Sequence, residues 1–144
     1  MEVNQKAFMF SLQNQDGKLV HLKDYLGQKI LLYFYPKDNT PGCTKQACSL
    51  RDNITDLTKL NLKIFGISKD SVESHKKFTD KFNLNFDILS DEDKKVIAKY
   101  GANKGIFTAR IAYLLDENGI IIYKFNKVDT KSFAQDVIDV LNNL

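Results

Sequence analysis

The sequence predicts an α/β fold, a mixed central sheet with helices on both faces and an N-terminal β-hairpin extension, and three observations carry it. The continuously apolar and aromatic run at residues 30–35 fits a strand buried on both faces, and residues 62–68 read as another buried strand. Other segments space their apolar residues by three and four, the mark of helices that cover a sheet. Pairs of apolar runs joined by turn residues stand near the start and near the end, so part of the sheet is antiparallel.

The elements follow in order. Residues 8–12 and 18–22 flank an Asp16-Gly17 turn and form the hairpin. Ile30, Leu31, Leu32, Tyr33, Phe34 and Tyr35 make a central strand, with the three aromatics as core and pocket wall, and Pro36 ends it. From Cys43 to about Lys59, Ala47, Leu50, Ile54 and Leu57 make one apolar helix stripe. The strand at 62–68 follows, and Asp70 with Glu73 marks a capped helix through Phe82. Residues 86–89 are a short strand, and Ser90 caps a helix over 91–100. Residues 101–108 are a loop. Residues 110–115 and 120–125 bracket Asp116, Glu117, Asn118 and Gly119 as a second hairpin, and a helix carrying Phe133, Val137, Ile138 and Leu141 closes the chain. Strand and helix in this order make a thioredoxin-like arrangement with an N-terminal extension.

Composition narrows the function. At 144 residues and 43% hydrophobic, the chain fills one core, so residues 1–144 are expected to be a single domain. Its 21 basic and 18 acidic residues are spread along the length without a dense basic stripe, which argues against a nucleic-acid partner. No apolar run nears the ~20 residues of a membrane span, and the start lacks the apolar stretch of a secretory signal, so no membrane partner and a cytoplasmic location are expected. His21 and His75 are expected at the surface. With two cysteines and two dispersed histidines, no metal site is expected, and no other cofactor.

The chemistry concentrates in residues 36–48, where the only two cysteines, Cys43 and Cys48, sit where a strand ends and a helix begins. A helix start offers unpaired N–H groups and partial positive charge, which stabilise a thiolate over a thiol. Cys43 therefore reads as the nucleophile. On the helical wheel it lines up with the apolar stripe and points inward, while Cys48 falls about 140° away on the flank. Their Cα atoms in an intact helix are roughly 8–9 Å apart, beyond the ~7 Å that a disulfide tolerates. Any bond between them requires the first turns to unwind. Pro36 and Pro41 fix the loop, Gly42 allows close backbone approach, and Thr40 offers a hydroxyl that donates and accepts; Thr40 is also placed to cap the helix. Such a pocket suits a peroxide. Polarising an O–O bond calls for a permanent cation, and the chain has two arginines. Arg51 lies about two turns past Cys43 and is poorly placed, so the choice falls on Arg110, a charge opening a core strand.

Pro36, Thr40 and Cys43 reproduce a P-x-x-x-T-x-x-C signature, and with the stretch from Tyr33 through Cys48 to Asp52 the chain resembles the peroxiredoxins, in particular the bacterioferritin-comigratory-protein or PrxQ type. The resemblance extends to Gln15-Asp16-Gly17, Gly66-Ile67-Ser68, Leu89-Ser90-Asp91 and Arg110 with residues 113–116. It implies a thioredoxin-like fold of peroxiredoxin type. It also implies a peroxidatic Cys43, a peroxide pocket completed by Pro36, Thr40 and Arg110, and a resolving Cys48, while Gly42 is expected to line the same pocket from its place in the loop. Peroxide would be the substrate, and thioredoxin or a similar dithiol the reductant. An intrahelical resolving cysteine needs no second subunit, so a monomer is expected. The chain ends at Leu144 without the tail that locks this helix in oxidation-sensitive members, and resistance to over-oxidation is expected. Two other readings use the same cysteines: a protein disulfide oxidoreductase, weakened by the lack of Cys-x-x-Cys, and a non-enzymatic redox sensor or thiol-dependent chaperone.

Overall fold

The computed structural model describes residues 1–144. In chain order the elements are β1 (Ser11–Asn14), β2 (Leu19–His21), a 3₁₀ turn (Leu22–Tyr25), β3 (Lys29–Phe34), α1 (Pro41–Asp52) and α2 (Ile54–Lys59). After these come β4 (Leu62–Ser68), α3 (Val72–Phe82), β5 (Asp87–Ser90), α4 (Lys95–Lys99), β6 (Asn103–Lys104) and β7 (Phe107–Thr108). The chain finishes with β8 (Ile111–Leu115), β9 (Ile121–Phe125) and α5 (Phe133–Asn142). Seven strands form one sheet in the order β2-β1-β5-β4-β3-β8-β9, while β6 and β7 form a separate small hairpin. β3, β4 and β5 run parallel, and β8, β9, β1 and β2 join antiparallel on the two sides.

The sheet is mixed because two kinds of connection build it. The helical crossovers after β3 and β4 return the chain in the same direction, and the tight turns at Asp16-Gly17 and Asn118-Gly119 reverse it. Alternate residues of the central strands serve opposite cores. Leu31, Tyr33, Ile64 and Leu114 pack under α1, α2, α3 and α5, with Leu50, Leu57, Phe78 and Phe133 from the helices. Ile30, Leu32, Phe34, Phe65 and Tyr113 face the other way, toward α4 and the N-terminal segment, with Phe10, Ile97 and Tyr100. Helices thus cover both faces, as the alternation of strand and helix requires.

Several expected boundaries move, each for a local reason. The first strand starts at Ser11 instead of Phe8, because Ala7 N–H donates to Gly119 O and Phe10 O accepts from Leu22 N–H, which draws residues 7–10 against the second core. The helix expected over 43–59 is two. Asn53 closes α1 by donating its side-chain amide to Ser49 O at 2.8 Å, and α2 resumes the apolar stripe with Leu57 buried. α3 is capped by Ser71, whose hydroxyl accepts from Ser74 N–H, not by Asp70. The helix expected from residue 91 begins at Lys95. Ser90 does not cap it, because its hydroxyl donates to Asp70 O; Asp91 instead accepts from Ile97 N–H at 2.8 Å. The segment expected as a plain loop at 101–108 holds the β6–β7 hairpin.

Candidate functional site

The parallel strands end on one edge of the sheet, and the chain leaves β3 there through Tyr35 and Pro36 into a loop that enters α1 at Pro41. β8 runs antiparallel to β3 with Ile111 opposite Phe34, so Arg110, just before Ile111, stands at the same edge. Topology thus brings together two residues 67 positions apart: Arg110 Nη2 donates to Cys43 Sγ at 3.2 Å. The second arm, Nη1, donates to Gln46 Oε1 at 2.7 Å. A permanently charged fork held on two acceptors is a fixed donor array for an anionic sulfur and for the oxygens of a small substrate beside it.

Cys43 points into the protein body and is 2% exposed, whereas Cys48 on the helix flank is half-buried, and both thiols are free. Their helix is intact from Pro41 to Asp52, so the two sulfurs belong to one rigid element in this state. Gly42 leaves room for the arginine: a Cβ there would lie 3.1 Å from Arg110 Nη2. Thr40 occupies the position preceding the helix, with its carbonyl accepting from Thr44 N–H, but its side chain does not cap. The Thr40 hydroxyl instead donates to Lys37 O at 2.8 Å, which commits its proton and leaves its lone pairs free to accept. Pro36 is half-buried at the start of the loop.

Arg51 lies elsewhere. Its Nη1 donates to Phe82 O at 2.6 Å and it pairs with Asp52, so it ties α1 to the end of α3. Beneath the site, Tyr33 and Tyr35 stack with ring centroids 5.5 Å apart. Burial, then the charges of Cys43 and Asp38, hold the Tyr33 phenol well above the usual tyrosine range, and burial followed by Asp38 does the same for Tyr35. Both therefore stay protonated. Tyr35 donates to Asp38 Oδ1 at 2.7 Å, while the Tyr33 hydroxyl has no partner.

Two features escaped the sequence reading. Gln46 is fully buried and orients Arg110, with its Nε2 unpartnered. His75, expected at the surface, is 0% exposed: Nδ1 lies 2.7 Å from Asp38 Oδ2 and Nε2 lies 3.0 Å from Leu89 O. It sits one turn before Phe78 on the inward face of α3, and its partner is on a loop 37 residues away, which helical periodicity cannot reveal. His21 is half-buried in the N-terminal hairpin, with Nδ1 2.6 Å from Ser11 Oγ in an exposed contact. The ligand atoms of Asp38, Asp70 and His75 lie within 4.8 Å of one another, and all three residues are engaged in hydrogen bonds within the protein.

Known proteins resemble this chain in sequence and in fold. A profile of the AhpC/TSA family matches residues 3–124. A putative peroxiredoxin bcp of Coxiella burnetii is 43% identical over 148 residues, covering 96% of this chain and 97% of the relative. The crystal structure of peroxidoxin BcpB from Mycobacterium tuberculosis superposes with a TM-score of 0.93 at 26% identity, covering 100% of this chain and 98% of that one. The bacterioferritin comigratory protein of Xanthomonas campestris, studied for its alkyl peroxide reduction activity, superposes with a TM-score of 0.87 at 28% identity, covering 93% and 90%.

Proposed function

The chain belongs to the AhpC/TSA family, on its peroxiredoxin Bcp and PrxQ branch, and on that premise we propose that it reduces hydrogen peroxide and organic hydroperoxides with Cys43 as nucleophile and Cys48 as resolving thiol. It is a peroxidase, an oxidoreductase working on peroxides with a thioredoxin-type dithiol as reductant. One observation above all supports the residue assignment: Arg110 donating to Cys43 Sγ at 3.2 Å from the far side of the sequence.

The Cys43 thiolate attacks one peroxide oxygen, and an S–O bond forms as the O–O bond breaks. The other oxygen leaves as water or an alcohol after taking up a proton. Sulfur loses two electrons and becomes a sulfenic acid. Arg110 donates to a peroxide oxygen, Thr40 Oγ1 accepts from the peroxide O–H, Gly42 leaves the space for the guanidinium, and Pro36 shapes the loop. Cys48 then attacks the Cys43 sulfur, a disulfide forms and water leaves, and thioredoxin or a similar dithiol restores both thiols by exchange through a mixed disulfide. Because both sulfurs belong to one helix, one chain of a single domain completes the cycle as a monomer. A reducing cytoplasm suits a cycle that ends in thiols.

The test is peroxide consumption coupled to thioredoxin and its reductase. Cys43→Ser should abolish turnover. After one equivalent of peroxide, mass spectrometry of the wild type should show an intramolecular Cys43–Cys48 bond. Turnover by Cys43→Ser at the wild-type rate, or only intermolecular disulfides, would overturn the assignment.

A further inference from the structure

The loop between β3 and α1 carries Thr40. Asn39 turns it with a left-handed φ of 59°, a conformation that asparagine adopts more readily than most side chains. The loop is also tied to the elements around it, and those contacts are concentrated at Asp38. The Asp38 carboxylate accepts from Tyr35 Oη at 2.7 Å and from Ser74 Oγ at 2.8 Å, and faces His75 Nδ1 at 2.7 Å. His75 is itself fixed. Its Nε2 lies 3.0 Å from Leu89 O, which can only accept, and its Nδ1 faces the Asp38 carboxylate. A buried pair of this kind, satisfied on every side, has one arrangement.

The backbone of Asp38 matters more. The Lys37–Asp38 peptide is a plane whose N–H and C=O point in opposite directions. Its N–H donates to Asp70 Oδ2 at 2.9 Å, and its C=O accepts the Thr40 hydroxyl at 2.8 Å. Asp70 is held in turn by Ser68 Oγ at 2.6 Å, at the end of β4. Fixing one end of this plane aims the other. A chain of hydrogen bonds therefore runs from the central sheet through Asp70 and one peptide to the Thr40 hydroxyl, while His75 locks the side chain of the same residue.

We propose that Asp70 and His75, acting through the Lys37–Asp38 peptide, are positioning residues that turn the Thr40 hydroxyl so that its lone pairs accept from the peroxide O–H. Neither touches the peroxide. The proposal rests on the peroxidase reading given above. It assigns a role in the peroxide step to α3 and to the end of β4, whose sequence alone reads as ordinary scaffold.

The experiment is a double-mutant cycle on the second-order rate of the reduced protein with hydrogen peroxide, read in single turnover. Asp70→Ala should slow this step about tenfold, as expected when a hydrogen-bonding group is held loosely and not removed. Asp70→Asn, which keeps an acceptor oxygen, should restore most of the rate. Thr40→Val should cost at least as much as Asp70→Ala, and adding Asp70→Ala to it should cost nothing more. The subsequent rate of disulfide formation should be unchanged in Asp70→Ala. His75→Gln should behave like Asp70→Ala, and if it does not fold, the partly exposed Asp70 variants carry the test alone. Wild-type rates in Asp70→Ala, or penalties from Asp70→Ala and Thr40→Val that multiply, would overturn the positioning role. A reduced wild type inert to peroxide would instead overturn the peroxidase reading.

Discussion

A guanidinium is held in one orientation only when more than one of its donors is committed, and Arg110 commits one arm to Cys43 and the other to Gln46, both on α1. The arginine and the first turn of the helix thus form one rigid unit, and the charge cannot be supplied equally by a point cation. We expect Arg110→Lys to slow the peroxide reaction about 100-fold, the size of effect seen when one fixed donor to a developing charge is lost. Gly42→Ala should cost less, about tenfold, because the added Cβ would meet Nη2 at 3.1 Å and displace an arginine that remains present. Stopped-flow measurement on the reduced protein separates the two; equal rates for wild type and Arg110→Lys would remove Arg110 from the site. At this scale the sequence made Cys43 and Arg110 legible, the first from the helix start and the second because a charge opened a core strand. Gln46 carried a fainter signal. It lies about 60° from Cys43 on the helical wheel, so it was a polar residue on the thiol's own side. Asp38 and His75 carried none, since their meaning is the distance between them.

The elements show where one-dimensional patterns stop being informative. β4 matches the expected residues because Leu62, Ile64, Phe65 and Ile67 are buried on both faces of the sheet and make the segment legible as a strand. Helix starts shift because caps compete: Ser90 is a good cap by type, but its hydroxyl is taken by Asp70 O, and α4 starts farther on with Asp91 as its acceptor. The continuous apolar stripe from Ala47 to Leu57 hides the break at Asn53, because burial continues across it. Asp91 gives this scale a test. Burial raises its carboxyl above the ordinary value of 3.8. The native state therefore holds this proton more tightly than the unfolded chain, so the contribution of Asp91 to stability falls as pH rises from 3.8 through the folded value. Urea unfolding should show wild type losing stability relative to Asp91→Asn over that interval and then levelling off. Asp91→Ala, which leaves the Ile97 N–H without its acceptor, should cost about 1–2 kcal/mol at neutral pH. A flat difference between wild type and Asp91→Asn would mean that the group is not desolvated in the native state.

For the molecule as a whole, the proposed thiol cycle would need one helix to give way while the sheet stays intact, and the two ends of that helix are held differently. The C-terminal end of α1 is tied down by several partners: Arg51 Nη1 donates to Phe82 O, Asn85 donates to Arg51 O, and Ala134 N–H of α5 donates to Ser49 Oγ. The N-terminal end begins with Pro41, which fits the first helical position but has no N–H to donate, and Gly42, a poor helix former, and is held through Arg110. On the proposed cycle, oxidation of Cys43 alters the sulfur that Arg110 grips, so we expect unwinding to start from that end and to stop near Ser49. The central strands do not depend on the first turn of α1. They are packed on the opposite face by a second core built from Phe34, Phe65, Ile97 and Tyr113. Hydrogen exchange on reduced and peroxide-treated protein should therefore show lost protection over residues 43–48, with the amides of β3, β4 and β8 and the last turn of α1 protected in both states. Equal loss across the sheet would mean that the disulfide forms by global opening, and unchanged protection over 43–48 would mean that the two cysteines bond without the helix unwinding.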